Sequence, residues 1–223
     1  MMAKMGSGLD LSETRDLLSA AARAVIASKD RLTKADQDIG DGDHGVGMAR
    51  GFAAFDEATA KEAGSIAELF RNCGKALMMT SGGASGVIFG TLFQGAGKAL
   101  TRDTFDVEAF VAALEGGLKA VQDRGRAKVG DKTMVDALAP AAEAARSALN
   151  NGASIEQAAE AAAKAAANGA DASRRLVAKV GKSKGLGDRT IGFIDPGALT
   201  TSILLDSIFE TIRRHSEMLP EDE

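Results

Sequence analysis

The chain has 223 residues, 45% of them apolar and 26% charged, with a net charge of −4; that length predicts one domain over 1–223 with a sizeable core. Nothing basic recommends nucleic acid, no apolar run is long enough for a membrane span, and Met1 to Asp10 lacks the pattern of a secretory signal. The lone Cys73 excludes an internal disulfide and a multi-cysteine zinc site, and fits a reducing cytoplasm.

Residues 1–10 are expected to be disordered. After them, helical periodicity predicts eight segments, at about 12–29, 45–60, 65–79, 85–100, 106–123, 133–149, 154–179 and 197–216. Ile66, Leu69, Phe70, Cys73 and Leu77 recur at helical spacing, as do Val107, Phe110, Val111, Leu114, Leu118 and Val121. Each set makes one apolar stripe. Ser65 with Glu68, and Ser154 with Gln157, have the spacing of capping boxes, and Asp106 is placed to cap the helix after it. The alanine-rich stretch from Ser154 to Ala172 is a helix for close packing, because alanine forms helices well and carries no chemistry. Alternating β-branched runs are nearly absent, so the fold class is all-α.

The connections carry more information. Glycine concentrates at Gly40–Gly47, Gly82–Gly86, Gly125–Gly130 and Gly181–Gly197, more than helix termination needs. If the helices run up and down, the loops before the second, fourth, sixth and eighth emerge at one end. Four helix N-termini there would make a composite site suited to an anion.

The strongest local signal is Asp36-Gln-Asp-Ile-Gly-Asp-Gly-Asp43 followed by His44. Clustered carboxylates repel, so a folded loop needs a cation or a retained proton to hold them together. Oxygen-only ligands point to magnesium or calcium; the other reading is a solvated acidic turn. Three familiar motifs fail. Gly40-x-Gly42-x-x-Gly45 lacks the apolar strand of a dinucleotide fingerprint. An EF-hand started at Asp36 meets Gly47 where a bidentate Glu is required. Gly181-Lys182-Ser183 has Leu176 where a Walker loop needs glycine.

Gly82-Gly-Ala-Ser-Gly86 could cradle phosphate on backbone N–H groups or serve as a turn. In Gly130-Asp-Lys-Thr-Met134, Lys132 could meet phosphate, although the surface is favoured for it. Asp195-Pro-Gly197 is a turn by composition. His44 could orient phosphate or metal, or simply hydrogen-bond; His215 is expected at the surface and Cys73 in the core.

Together these four stretches resemble the nucleotide-binding L subunit of bacterial dihydroxyacetone kinases: Ile39-Gly-Asp-Gly-Asp-His-Gly45, Gly82-Gly-Ala-Ser-Gly86, Gly130-Asp-Lys-Thr-Met134 and Asp195-Pro-Gly-Ala198. The resemblance implies a closed barrel of eight antiparallel helices with the nucleotide at one end. It implies that Asp36, Asp41 and Asp43 hold two magnesium ions, and that His44, Gly45, Val46, Gly47, Ala84, Ser85, Gly125, Met134, Lys182, Asp195, Pro196 and Gly197 line a site for ADP or ATP. Asp38 falls outside the metal pattern. Gly47, Lys182 and Phe193 depart from the family's usual Asn, Arg and His; a Lys for Arg loses a bidentate phosphate grip. The resemblance also implies a K-type partner subunit that carries dihydroxyacetone or a similar ketose. In one branch a phosphoryl donor protein of the sugar phosphotransferase system recharges the bound ADP. A nucleotide-sensing regulatory subunit and a calcium-binding helical adaptor are the rival readings.

Overall fold

A computed structural model describes residues 8–218. They form nine α-helices: α1 Leu11–Ala27, α2 Lys29–Ile39, α3 His44–Thr59, α4 Ile66–Thr80, α5 Gly83–Ala99, α6 Val107–Gly125, α7 Val135–Asn150, α8 Ile155–Ala172 and α9 Pro196–Met218. Two 3₁₀ segments, Ser173–Arg175 and Lys182–Thr190, join α8 to α9. Of the stretch expected to be disordered, residues 1–7 lie outside the described residues. Leu9 pairs with Phe105 in a one-residue antiparallel bridge and is buried.

Eight helices close a ring. α1 packs on α3, each helix from α3 to α9 packs on the next, and α9 returns to α1. Short connections from α3 through α8 make those successive neighbours antiparallel, while α8 reaches α9 through a longer segment. The expectation of eight helices needs one correction, since α2 is a ninth. It follows α1 after a bend at Ser28, whose N–H still donates to Ala24 O while Leu32 N donates to Ser28 O. Its buried face is Leu32, Ala35, Asp36 and Ile39. A carboxylate on that face breaks the apolar periodicity that would have marked the helix. The segment expected over 154–179 also ends early, at Ala172, where the chain tightens into the first 3₁₀ turn.

Local signals hold elsewhere. Ser154 and Gln157 form a reciprocal capping box. Ser65 Oγ accepts from Glu68 N at 3.1 Å, but the Glu68 carboxylate takes Gly64 N instead. Asp106 caps α6 through Ala109 N at 2.9 Å. Six alanines of α8, from Ala158 to Ala170, are buried, and the helix packs between α7 and α9. An aromatic cluster fills the ring's interior, with Phe55 and Phe93 edge to face at 4.5 Å and Phe52 beside both. Cys73 is fully buried there, and burial pushes its thiol up to about 12, so it serves as a small apolar side chain. His215 is half-buried, with Nε2 3.3 Å from Glu13.

Candidate nucleotide and metal site

At one end of the ring, the loops before α3, α5, α7 and α9 surround a cavity of ≈ 520 Å³. This size lies within the range of small-ligand sites. Among the sequence candidates, Asp36, Asp43, His44, Val46, Gly47, Ala84, Ser85, Gly125, Met134, Lys182, Asp195, Pro196 and Gly197 line it.

Gly45 does not. It packs backward on α2, where a Cβ would strike the Lys29 carbonyl and Thr33. Its place in the motif is a close approach of α3 to α2, and the cavity is faced by its neighbours. Asp41 is also absent from the cavity wall, standing at its rim with Asp36 and Asp43. One oxygen from each of these three carboxylates lies within 4.8 Å of the others.

The local chain explains that convergence. Asp36 lies on the buried face of α2, and its Oδ2 accepts the His44 backbone N–H at 3.1 Å. The reversal at Gly40–Asp43 uses Gly42 at φ 78°, a left-handed conformation that favours glycine. Asp43 sits at the N-cap of α3 yet makes no side-chain cap bond, which leaves its carboxylate for another partner. That partner is Lys182, whose Nζ lies 2.5 Å from Asp41 Oδ2 and 2.9 Å from Asp43 Oδ2. The Lys182 bond holds Asp41 below the usual carboxylate range, and the two aspartates push the Lys182 ammonium up. Asp38 turns away to Lys34 at 2.7 Å. An all-oxygen donor set of three convergent carboxylates fits a hard divalent cation such as magnesium.

The second loop is held by Arg50, which donates to the Thr80 and Ser81 carbonyls. Gly82 and Gly83 follow at φ 72° and 67°, and α5 starts with its first-turn N–H groups at the cavity. Such groups have no intrahelical partner and suit an anion.

The third and fourth loops are tied together by Lys132. The surface position favoured for it is wrong: Lys132 is 2% exposed, with left-handed φ of 61°. Its Nζ donates to the carbonyls of Ser173 and Phe193, both at 2.6 Å. Burial lowers its pKa, against the attraction of Asp195. Asp136 fixes the same loop, accepting from Gly130 N at 2.5 Å and Thr133 N at 2.8 Å. Asp195 caps α9 through Ala198 N at 2.7 Å, and burial raises its carboxyl to about 7. Phe193 contributes its carbonyl to Lys132 and is not part of the cavity wall.

Beyond the sequence candidates, the wall includes Arg50, Ile88, Phe89, Val121, Ala127 and Val180. Ile88, Phe89 and Val121 continue core-facing helix surfaces to the ring's end, so their sequence signal was indistinguishable from ordinary packing. His44, nearly buried at the start of α3, is lowered in pKa chiefly by desolvation, although Asp36 and Asp43 act to raise it.

Comparison with known proteins gives the class. Residues 38–210 match the DAK2 domain, and the chain belongs to that family. An ADP-binding subunit DhaL of a PEP-dependent dihydroxyacetone kinase from Listeria innocua is 35% identical over 84% of this chain and 89% of its own. The PTS-dependent counterpart from Lactococcus lactis is 33% identical over 92% of this chain and 99% of its own. The crystal structure of the dihydroxyacetone kinase of C. freundii superposes with a TM-score of 0.69 at 25% identity. The match covers 95% of this chain and 37% of that longer one. A second crystal structure of that kinase, with AMP-PNP and Mg2+, has the same fold at a TM-score of 0.69.

Proposed function

We propose that this chain is the nucleotide-binding subunit of a dihydroxyacetone kinase. It positions the phosphoryl group of Mg–ATP, or of ADP recharged by a phosphotransferase-system protein, for a short ketose held by a K-type partner subunit. The observation that carries the reading is the convergence of Asp36, Asp41 and Asp43 at a cavity ringed by helix N-termini. Its relatives add support: several are named as ADP-binding subunits of such kinases. A protein named L-erythrulose kinase from Pectobacterium atrosepticum, 34% identical over 33% of its own length, extends the acceptor class to four-carbon ketoses.

Phosphoryl transfer asks for position and charge neutralisation more than for a protein nucleophile. Asp36, Asp41 and Asp43 would hold two magnesium ions, whose chemistry when bound is to offset the charge on the phosphate oxygens. The first turn of α5, with Ala84 and Ser85, presents free N–H groups to a phosphate. Lys182 stands within reach of the same rim. The apolar side chains of Ile88, Val121 and Met134 make the drier wall against which a nucleobase would lie. No residue of this chain is assigned as a general base, because the acceptor hydroxyl is that of the ketose held on the partner.

The test is calorimetry of ADP with magnesium and with a chelator, on the wild type and on Asp41→Asn. Micromolar binding that survives both the chelator and the substitution would sink the assignment.

A further inference from the structure

His44 joins three elements that are far apart in the chain. Its Nε2 lies 2.9 Å from Thr200 Oγ1, 156 positions away on α9, and its Nδ1 lies 3.1 Å from Ser85 Oγ in the first turn of α5. Thr200 is fully buried. Its hydroxyl has one proton, and that proton goes to the Pro196 carbonyl at 2.9 Å. While that proton stays on the Pro196 carbonyl, Thr200 accepts from His44, and Nε2 carries a hydrogen. In a neutral imidazole this leaves Nδ1 bare, so the Ser85 hydroxyl must donate to it.

Donor counting thus sets a direction along the whole chain, from Ser85 to His44 to Thr200 to the Pro196 carbonyl. The opposite tautomer would turn the Thr200 hydroxyl toward Nε2 and give up its hydrogen bond to the Pro196 carbonyl. Of the groups in this chain, Ser85 and His44 line the cavity and Thr200 does not.

We infer that Thr200 is a positioning residue of the site: it fixes the tautomer of His44 and, through it, the orientation of the Ser85 hydroxyl at the phosphate cradle. The inference rests on the nucleotide reading given above only for its consequence on binding. A Ser85 side chain held in one orientation leaves less to be ordered when an anion settles on the first turn of α5. The energetic weight is that of one buried hydrogen bond, and its loss predicts about tenfold weaker binding, or about 1.4 kcal/mol.

The test uses the full-length chain, ¹⁵N-labelled, in a His215→Gln background so that His44 is the one histidine. Long-range ¹H–¹⁵N correlation spectra read the two ring nitrogens without any nucleotide. The expected pattern is a protonated Nε2 and a bare Nδ1. Thr200→Val is expected to mix or invert that pattern and to weaken Mg–ADP binding about tenfold in calorimetry. Thr200→Ser, which keeps the acceptor, is expected to restore the pattern and bring affinity back to within about twofold. A wild-type ring protonated on Nδ1, alone or together with Nε2, overturns the inference, as does a Thr200→Val variant that keeps the wild-type pattern and affinity. If the wild type fails to bind Mg–ADP at all, the nucleotide reading fails and takes the claim about the cradle with it. The tautomer is decided separately, by the ligand-free spectra.

Discussion

The ammonium of Lys132 donates to the Phe193 carbonyl at 2.6 Å, across 61 positions of sequence, and to the Ser173 carbonyl at the same distance. One buried cation therefore fastens the start of α7, the end of α8 and the strap leading into α9. Lys132→Met keeps the stem and removes the donor, leaving two carbonyls unsatisfied. The expected loss is about 3 kcal/mol in urea unfolding. A loss below about 1 kcal/mol would show that the carbonyls find other partners.

Gly45 stands where α3 crosses α2, with Thr33 N only 2.5 Å from where a Cβ would lie. The obstruction is backbone, which cannot swing aside. Gly45→Ala should cost about 2 kcal/mol through overpacking, or roughly a 6 °C drop in melting temperature. An unchanged melting temperature would mean that the helices separate freely there.

Asp195 has its carboxyl raised to about 7 from an ordinary 3.8, chiefly by burial. The folded state thus holds this proton more tightly than the unfolded chain. The resulting stabilisation is complete below about pH 4, declines as pH rises, and is gone above about pH 7. Asp195→Asn can still cap Ala198 N and carries no charge to bury. It should therefore gain on the wild type as pH rises, by up to about 4 kcal/mol at pH 8 and little at pH 4. Denaturant curves at both pH values check this; a gain equal at the two would assign the effect to packing.

Lys182 shares the oxygens that a divalent cation would use on Asp41 and Asp43. Lys182→Met should tighten magnesium binding measured without nucleotide, by about two- to fivefold, since exposed pairs of this kind are weak. Weaker magnesium binding in the variant would mean that the ammonium helps to gather the carboxylates and does not compete for them.

Much of this protein is written locally. The stripes of α4 and α6, the caps at Ser65, Asp106 and Ser154, and the acidic loop after α2 depend on neighbours within a few positions. The sequence alone therefore determines that the chain is helical, that its loops alternate in character, and that carboxylates crowd one of them. Tertiary structure decided the rest. The burial of Lys132, the rearward packing of Gly45 and the pairing of His44 with Thr200 each depend on what another helix brings into contact. Other lysines, such as Lys34 and Lys119, stand exposed on the surface. The helix α2 was hidden for a related reason: the residue that spoils its apolar face, Asp36, is the one the site uses. Closure of the ring sets these distances, because only when α9 returns to α1 do four separate loops share one cavity.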